Sequence, residues 1–387
     1  MQFIVSQVLN KHQALRQLAR ELSLSLSYFE RAEELSRLLR GDTRRIVMLT
    51  ESDVSAAAIG ALEKAMAKAT FGLILCTDRE RLRSTNRAAL LDQITTLSNV
   101  EWIRSDWDLD TLSRATRSCR RRMLRVSRQE IEQAVANRQF LIQYQPKVDR
   151  GISGVWQTSE VEALIRWRHP AHGLLGPLEF LPEVEAFGLS ADVAEYVLGE
   201  TAAQIVQWRK SGLNLNGCIN LASSLLGNTT LADRYVAIVA QHGLDCASFT
   251  FEVTEQEIVN SDAPHLKALA ALRAKGFRIS LDDFGAAASS LGTFEQLPFD
   301  EIKIHASVLR RAKNNEVTQK VLAAITGLAH KLGISVCAEG VEDQETFDFL
   351  KTINCDKMQG FLISEAVLPE IIRHVYRANG GKSQSVA

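Results

Sequence analysis

Acidic and amide side chains recur in the second half of the sequence at the ends of short apolar runs. The runs are of strand length and end in polar residues, as in GCINLAS, SFTFEVTE, FRISLDDFG and ISVCAEGVE. The residues at these ends are Glu162, Asn220, Glu252, Asp282, Asp283, Lys303, Glu339 and Gln359. If the runs are strands of one barrel, their carboxyl ends meet at one mouth and bring these side chains together.

Carboxylates at that density repel one another and cannot all stay ionised unless cations lie among them. Oxygen ligands without His or Cys favour Mg²⁺ or Mn²⁺ over zinc. Asp282 and Asp283 are adjacent, and both can approach the mouth where the strand curls into the following loop. Two ions about 3.5–4 Å apart form a clamp for in-line attack on a phosphodiester. The residues therefore predict a two-ion site that acts on a phosphate ester.

The elements that must position these residues are strand-like runs separated by helical patterns such as QKVLAAITGLAHKLG. With the earlier run QFLIQYQP, the second part of the chain contains eight such strands, the number in a (β/α)8 barrel. The expected fold class is α/β, with this barrel as the C-terminal domain.

The first 110 or so residues alternate apolar runs such as FIVSQVL, RRIVMLTE and FGLILCTD with amphipathic stretches. This order predicts a small doubly wound parallel sheet, and it resembles a response-regulator receiver domain. The phosphorylation residues of receivers are missing, because Ser6 and Gln7 follow the first strand and Arg104 and Ser105 end the fifth. Asp53 is a candidate displaced acceptor, but a phosphorylation-independent interaction or dimerisation module is the preferred interpretation.

Composition excludes several classes of protein. The 387 residues are 46% hydrophobic and 24% charged, with six cysteines and no CxxC pair, which argues against disorder and a disulfide scaffold. Residues 1–130 hold 22 of the 45 basic and 16 of the 46 acidic residues, so this part carries +6 and the remainder −7.

The Arg-rich run before residue 130 lacks aromatic residues, and we expect a solvated helix there and no nucleic-acid partner. No membrane span and a cytoplasmic location are also expected.

These patterns predict four segments. They are a degenerate receiver-like regulatory domain over 1–112, an Arg-rich linker helix over 113–130, the barrel domain over 131–378 and a flexible tail over 379–387.

The second part resembles a known family in eight sequence blocks that occur in the family's order. They are YQPKVD, EALIRWRHP, INLASSLL, FEVTE, DDFG, LPFDEIKI, AEGVE and CDKMQG. The family is the EAL domain, which comprises cyclic di-GMP phosphodiesterases, and the resemblance covers roughly residues 127 to 375. It implies a TIM-like barrel that hydrolyses cyclic di-GMP to linear pGpG with a water activated by Mg²⁺ or Mn²⁺, with two ions, under regulation by the N-terminal domain.

The resemblance also implies a role for each matching residue. The metal ligands are Glu162, Asn220, Glu252, Asp282 and, for the second ion, Asp283. The catalytic residues are Glu162, Glu339 as general base or second-metal ligand, and Lys303, which positions water and phosphate. The substrate-binding residues are Gln145, Arg166 and Gln359, and Glu255 stabilises the loop after DDFG.

Two departures from the family pattern bear on activity. Ala286, Ala287 and Ala288 replace Thr, Gly and Tyr, and His305 replaces the Asp that follows the catalytic lysine by two positions. A lowered rate or an altered metal preference is expected from them. The alternatives are an effector that binds cyclic di-GMP without cutting it and a partner-binding EAL domain without nucleotide. A homodimer, and a protein partner bound through the N-terminal domain, are further expectations.

Overall fold

The computed structural model describes residues 2–10, 12–21, 24–39, 45–66, 71–77, 94, 99–124, 126–151, 155–259, 263–285 and 299–378. The chain divides into two compact units, the first formed by Met1–Ser127 with Leu178–Glu183 and the second by Arg128–Pro177 with Val184–Ala387. The substituted loop Ala286–Ala288 and the predicted tail 379–387 lie outside the described residues.

The first unit contains a five-stranded parallel sheet in the order β2-β1-β3-β4-β5. The strands are β1 (Gln2–Ser6), β2 (Ser25–Phe29), β3 (Arg45–Thr50), β4 (Phe71–Cys76) and β5 (Val100–Ile103). The described helices are Gln13–Glu21, Ala32–Leu38, Ala56–Met66 and Leu109–Met123. Phe3 and Val5 belong to one buried cluster and Ile4 to another, because successive side chains of a strand face opposite sides. A core on each face confirms the predicted doubly wound arrangement.

Asp53 caps the short helical turn that follows β3. Its Oδ2 accepts the Thr50 N–H at 2.7 Å and the Thr50 hydroxyl at 2.6 Å, and its Oδ1 accepts the Ser6 hydroxyl at 3.0 Å. Three donors thus hold this carboxylate, which favours a structural role over that of a displaced acceptor.

The segment 113–130 does not form the single linker helix predicted for it. The helix Leu109–Met123 packs Leu112 and Cys119 into a core cluster of the first unit, and a separate helix, Arg128–Ala136, opens the second unit. Ser127 directly precedes that second helix, a position where serine favours a new helix start. The Arg-rich run is therefore divided between two helices.

The second unit is a closed eight-stranded barrel. Its strands are β6 (Phe140–Arg150), β7 (Trp156–His169), β9 (Asn216–Asn220), β10 (Phe249–Thr254), β11 (Arg278–Phe284), β12 (Glu301–Ile304), β13 (Ser335–Ala338) and β14 (Lys357–Gln359). They follow the order β6-β14-β13-β12-β11-β10-β9-β7, and β7 pairs again with β6. A short strand, β8 (Gly173–Leu175), pairs with β7 from outside the closed ring. All eight predicted barrel strands are confirmed.

One strand runs against the others. β6 is antiparallel to both of its neighbours, β7 and β14, whereas an ordinary (β/α)8 barrel is parallel throughout. The reason is the short connection between Arg150 and Trp156, which makes β6 and β7 a hairpin instead of a strand pair joined through a helix.

Helices surround the barrel. The described ones are Arg128–Ala136, Ser190–Lys210, Leu231–Gln241, Glu255–Val259, Ala263–Ala274, Ala306–Ala312, Glu316–Lys331, Gln344–Thr352 and Pro369–Ala378. A further helix, Pro177–Ala186, has its residues Leu178–Glu183 in the first unit. Within the described part of the chain, no helix has both the length and the apolar character needed to cross a membrane.

Candidate active site

The barrel strands deliver the predicted residues to one mouth. Asn220 and Gln359 are the last residues of β9 and β14, and Glu339 follows the end of β13. Glu162 lies in the middle of the long strand β7, where the register places it opposite Gln145 of β6. Because β6 runs in the opposite direction, Gln145 reaches the same level from within its strand.

Lys303, the third residue of β12, stands at the centre of the carboxylates. It is 1% exposed. Its Nζ lies 2.6 Å from Glu339 Oε1, 2.8 Å from Glu252 Oε2, 3.1 Å from Asp282 Oδ1 and 3.8 Å from Glu162 Oε2. One ammonium group therefore contacts four carboxylates, so the geometry brings these predicted residues together.

Two amide side chains donate hydrogen bonds to the carboxylate of Glu162. Asn220 Nδ2 donates to Glu162 Oε1 at 2.9 Å, and Gln359 Nε2 donates to Glu162 Oε2 at 2.8 Å. Gln359 Nε2 also lies 2.9 Å from Gln145 Oε1, and Gln145 Nε2 donates to the carbonyl of Ser364 at 3.2 Å. Among the residues that the structure describes, the buried Gln359 Oε1 has no hydrogen-bond partner.

A bulge at the end of β11 lets two successive aspartates serve one site. The pairing of β11 with β12 shifts register between Leu281 and Phe284, and Asp283 has a φ of 59°. Its N–H donates to Asp282 Oδ1 at 2.9 Å. Carboxylate oxygens of Asp282, Asp283 and Glu339 all lie within 4.8 Å of one another. This left-handed conformation, unfavourable for a residue with a Cβ, is typical of functional sites.

Burial and neighbouring charges shift the pKa values of the carboxyl groups at the mouth. Burial raises the pKa of Glu339 to about 8 and that of Glu252 to about 7, although lysines oppose the shift. Burial acts in the same direction on Glu162, but Lys303 and Lys147 lower its pKa to about 2. Without additional positive charge the mouth therefore favours protons on some of its carboxyl groups.

Sequence reasoning missed a second set of charged residues that lies beneath the mouth inside the barrel. Lys147 Nζ donates to Glu252 Oε1 and lies 3.8 Å from Glu301 Oε1. Lys357 Nζ lies 2.7 Å from both Glu160 Oε2 and Glu301 Oε2. Lys147 lies two residues from Gln145 on β6, and Lys357 lies two residues from Gln359 on β14. Residues two apart on a strand face the same side, so each lysine shares the face of the predicted site residue on its strand.

Three other predicted residues have separate surroundings. Arg166 donates from Nη1 to the carbonyl of Ile165 at 3.0 Å. The N–H of Gly285 donates to Glu255 Oε2 at 3.4 Å, and the loop that Glu255 is predicted to stabilise continues outside the described residues. His305 caps the helix Ala306–Ala312, and its Nε2 lies 3.8 Å from Asp283 Oδ1.

The donor set fits hard divalent cations. It consists of carboxylate and amide oxygens, and burial holds the pKa values of Glu252 and Glu339 above the ordinary range of a carboxyl group. An unpartnered amide oxygen on Gln359 adds a further acceptor. Glu162, Asn220, Glu252, Asp282 and Asp283 could hold such ions, as Mg²⁺ and Mn²⁺ prefer oxygen ligands.

The fold and the site together define a class: an α/β barrel with an acidic, lysine-centred cluster at the carboxyl ends of its strands. The family model of the EAL domain matches residues 128–366. This chain belongs to the EAL-domain family.

Two curated relatives from Pseudomonas aeruginosa are similar to the second part of the chain. A cyclic di-GMP phosphodiesterase is 32% identical over 241 residues, which is 62% of this chain and 40% of the relative. The bifunctional diguanylate cyclase/cyclic di-GMP phosphodiesterase MucR is 34% identical over 242 residues, or 62% of this chain and 35% of the relative. The alignment thus spans well under half of these two relatives.

Solved structures resemble the barrel unit. The MucR phosphodiesterase in complex with c-di-GMP is 33% identical with a TM-score of 0.57, and the match covers 63% of this chain and 98% of that one. An EAL-domain protein from Listeria monocytogenes is 28% identical with a TM-score of 0.56, covering 66% of this chain and 99% of the other.

Proposed function

We propose that this chain hydrolyses cyclic di-GMP to linear pGpG at the mouth of its barrel. The observation that carries the proposal is the convergence of Glu162, Glu252, Asp282 and Glu339 on Lys303, in a fold shared with a phosphodiesterase solved with c-di-GMP. In the reaction, a water oxygen bonds to phosphorus, the bond from phosphorus to the 3′ oxygen breaks, and the 3′ oxygen takes up a proton.

The amide and guanidinium groups hold the dinucleotide. Gln359 and Gln145 form a hydrogen-bonded pair beside Glu162, which supports a role for both amides in binding the dinucleotide at the mouth. Arg166 supplies a planar cation on β7, a strand that contributes directly to the mouth, and guanidinium suits a phosphate oxygen pair.

Glu339 and Lys303 carry the proton and charge transfers. Glu339 accepts the proton of the attacking water, and its contact with Lys303 at 2.6 Å fixes the orientation of its carboxylate. Lys303 then stabilises the negative charge that develops on the phosphoryl oxygens. Glu162, kept ionised with a pKa of about 2, retains its charge throughout the working pH range.

Two divalent cations, Mg²⁺ or Mn²⁺, belong to the proposal. Glu162, Asn220, Glu252 and Asp282 would hold the first and Asp283 would help to hold the second, with Glu339 as a further ligand. When bound, such ions supply positive charge beside the scissile phosphate and lower the pKa of water.

A turnover assay tests the proposal. The protein is incubated with cyclic di-GMP and Mg²⁺ or Mn²⁺, and pGpG is quantified by chromatography. Turnover is expected in the parent protein, its loss in Glu162→Ala and its retention in Glu316→Ala, a change at an exposed acid outside the barrel mouth. Tight binding of cyclic di-GMP in Ca²⁺ without turnover in Mg²⁺ or Mn²⁺ would contradict hydrolysis.

That contrary result would support a second candidate, an effector that binds cyclic di-GMP and passes the signal on. His305 favours it, because an imidazole stands where the family has a carboxylate. Its Nδ1 accepts the N–H of Ser307 at 3.2 Å, so a neutral ring carries its proton on Nε2, towards Asp283. The second ion would then lack one negative ligand.

The same proposal extends to the whole chain. The first unit regulates turnover without phosphorylation and offers a surface to a protein partner, and the protein works as a cytoplasmic homodimer. The capped Asp53 supports the first point. Sedimentation at several concentrations tests the dimer, since a single monomeric species at all of them would exclude it.

A further inference from the structure

A layer of buried charge lies one step deeper in the barrel than the mouth. Its members are Glu160, Glu301, Lys357 and, joining it to the mouth, Lys147. All four side chains are at least nine-tenths buried, and each is ion-paired. Ions buried to this extent carry a large desolvation cost, so an arrangement of this kind calls for a role beyond stability.

Lys147 is the member that touches the mouth. It is 0% exposed, and its Nζ donates to Glu252 Oε1, while Glu252 Oε2 contacts Lys303 Nζ at 2.8 Å. Each oxygen of Glu252 is therefore held by a different lysine. An ionised carboxylate has about four lone-pair sites, so two hydrogen bonds leave room for ion coordination while they fix its plane.

The ammonium group of Lys147 also lies near a second carboxylate, that of Glu301. Its Nζ lies 3.8 Å from Glu301 Oε1, and that oxygen also accepts the Ser280 hydroxyl at 3.0 Å. Glu301 Oε2 lies 2.7 Å from Lys357 Nζ. The strands β6, β11, β12 and β14 thus fix the ammonium group that in turn holds Glu252.

We propose that Lys147 is a positioning residue that holds Glu252 in the orientation required to bind a divalent ion. The inference rests on the proposed function, because it assigns Glu252 to the metal ligands. In this proposal Lys147 acts on the ion through its hydrogen bond to Glu252, without itself being a ligand or a substrate-binding group. Partners of ligating groups commonly contribute about 10- to 100-fold to metal affinity.

Lys357 provides a matched control. It is a buried lysine that also pairs with Glu301, but its other partner is Glu160, which is not among the predicted ligands. If the buried layer only stabilised the fold, substitution of Lys147 would lower Mn²⁺ affinity no more than substitution of Lys357.

The experiment measures Mn²⁺ affinity directly in the full-length protein. Free Mn²⁺ is quantified by its electron paramagnetic resonance signal as the ion is titrated into the parent, Lys147→Met, Lys147→Gln and Lys357→Met. Lys147→Gln keeps a hydrogen-bond donor without the charge, and it replaces Lys147→Met should the latter fail to fold. Circular dichroism establishes that each variant is folded.

The expected result is a 10- to 100-fold weaker Mn²⁺ affinity in Lys147→Met, a smaller loss in Lys147→Gln and a change below about threefold in Lys357→Met. Parent-like affinity in a folded Lys147 variant, or an equal loss in Lys357→Met, would overturn the inference. Turnover of cyclic di-GMP by the parent is measured separately. If the parent is active while the Lys147 variants bind Mn²⁺ normally, the positioning role is wrong and the proposed hydrolysis stands.

Discussion

At the scale of single residues, His305 is the position where this chain's chemistry departs most from the family pattern. Its imidazole accepts the Ser307 N–H at Nδ1 and faces Asp283 Oδ1 at 3.8 Å through Nε2. An aspartate at this place would add negative charge to the three oxygens of Asp282, Asp283 and Glu339, which lie within 4.8 Å of one another. On the proposed two-ion arrangement, the substitution is therefore expected to weaken binding of the second cation, while every residue predicted to bind the first is present.

His305→Asp is expected to raise turnover of cyclic di-GMP by roughly tenfold and to lower the Mn²⁺ concentration that gives half-maximal rate. The physical reason is the added carboxylate beside Asp283, which increases the attraction for a divalent ion. Initial rates of pGpG formation across a Mn²⁺ series measure both quantities. His374→Asp, an equivalent change at an exposed position on the last described helix, should leave them unaltered. An unchanged rate in His305→Asp would exclude His305 as a residue that limits turnover.

At the scale of elements, the strands of the barrel were predictable because their apolar runs are bounded by polar residues. The same alternation could also have identified the buried layer. Glu160 precedes Glu162 by two residues, Glu301 precedes Lys303, and Lys357 precedes Gln359. Residues two apart on a strand face the same side, so a charged residue two before a mouth residue must lie inside the barrel.

Other features depend on tertiary structure and have no local signal. The bulge at Asp283 arises from pairing between β11 and β12, two strands joined by a long connection. The direction of β6 depends on its hairpin with β7. The predicted linker helix was wrong because the Arg-rich helical composition continues across Ser127, whereas one helix ends at Met123 in the first unit and another begins at Arg128 in the second.

Helix capping gives a prediction at this scale. Asp343 caps the helix Gln344–Thr352 by accepting the Thr346 N–H at 2.9 Å, and it pairs with Lys313. Asp343→Ala is expected to lower the free energy of unfolding by about 1 kcal/mol at neutral pH. Urea denaturation measures the change. Asp348→Ala, a change at an exposed acid within the same helix, should cost clearly less than Asp343→Ala. Equal losses would exclude a specific capping contribution.

The capping contribution should depend on pH in one direction. The hydrogen bond from Lys313 and that from the Thr346 N–H lower the pKa of Asp343 in the folded protein. The contribution is then fully present above the ordinary aspartate pKa of about 3.9 and is lost as the pH falls through the lower folded value. The difference between parent and Asp343→Ala should therefore shrink in acid, whereas a constant difference would point to a contribution that does not involve the charge.

At the scale of the whole molecule, the two parts of the sequence differ in net charge and in the types of polar residue that end their strands. Residues 1–130 carry +6 and the rest −7, so the sequence concentrates its acidity in the part that contains the barrel. In the first unit a cavity of about 740 Å³ opens at the carboxyl edge of the sheet, where Thr50, Thr77 and Ser105 contribute hydroxyls. The cavity is also lined by Glu51, Asp106 and Arg104, so a basic side chain lies among its acids. Asp53 is not among its lining residues, and the proposed regulation by the first unit is therefore expected to work without a phosphorylated aspartate.

The absence of a phosphorylation response is a testable consequence. The phosphoryl analogue BeF₃⁻ with Mg²⁺ needs a free aspartate with acidic neighbours, but Asp53 already accepts bonds from Thr50 and Ser6. Asp106, an acid of the nearby cavity, is paired with Arg104 at 3.0 Å. We therefore expect no bound signal in fluorine NMR and no change in cyclic di-GMP turnover when BeF₃⁻ is added. A bound signal that disappears in Asp53→Asn would instead mean that Asp53 exchanges its capping bonds for an acyl-phosphate analogue, and a parallel change in turnover would make the first unit a phosphorylation switch.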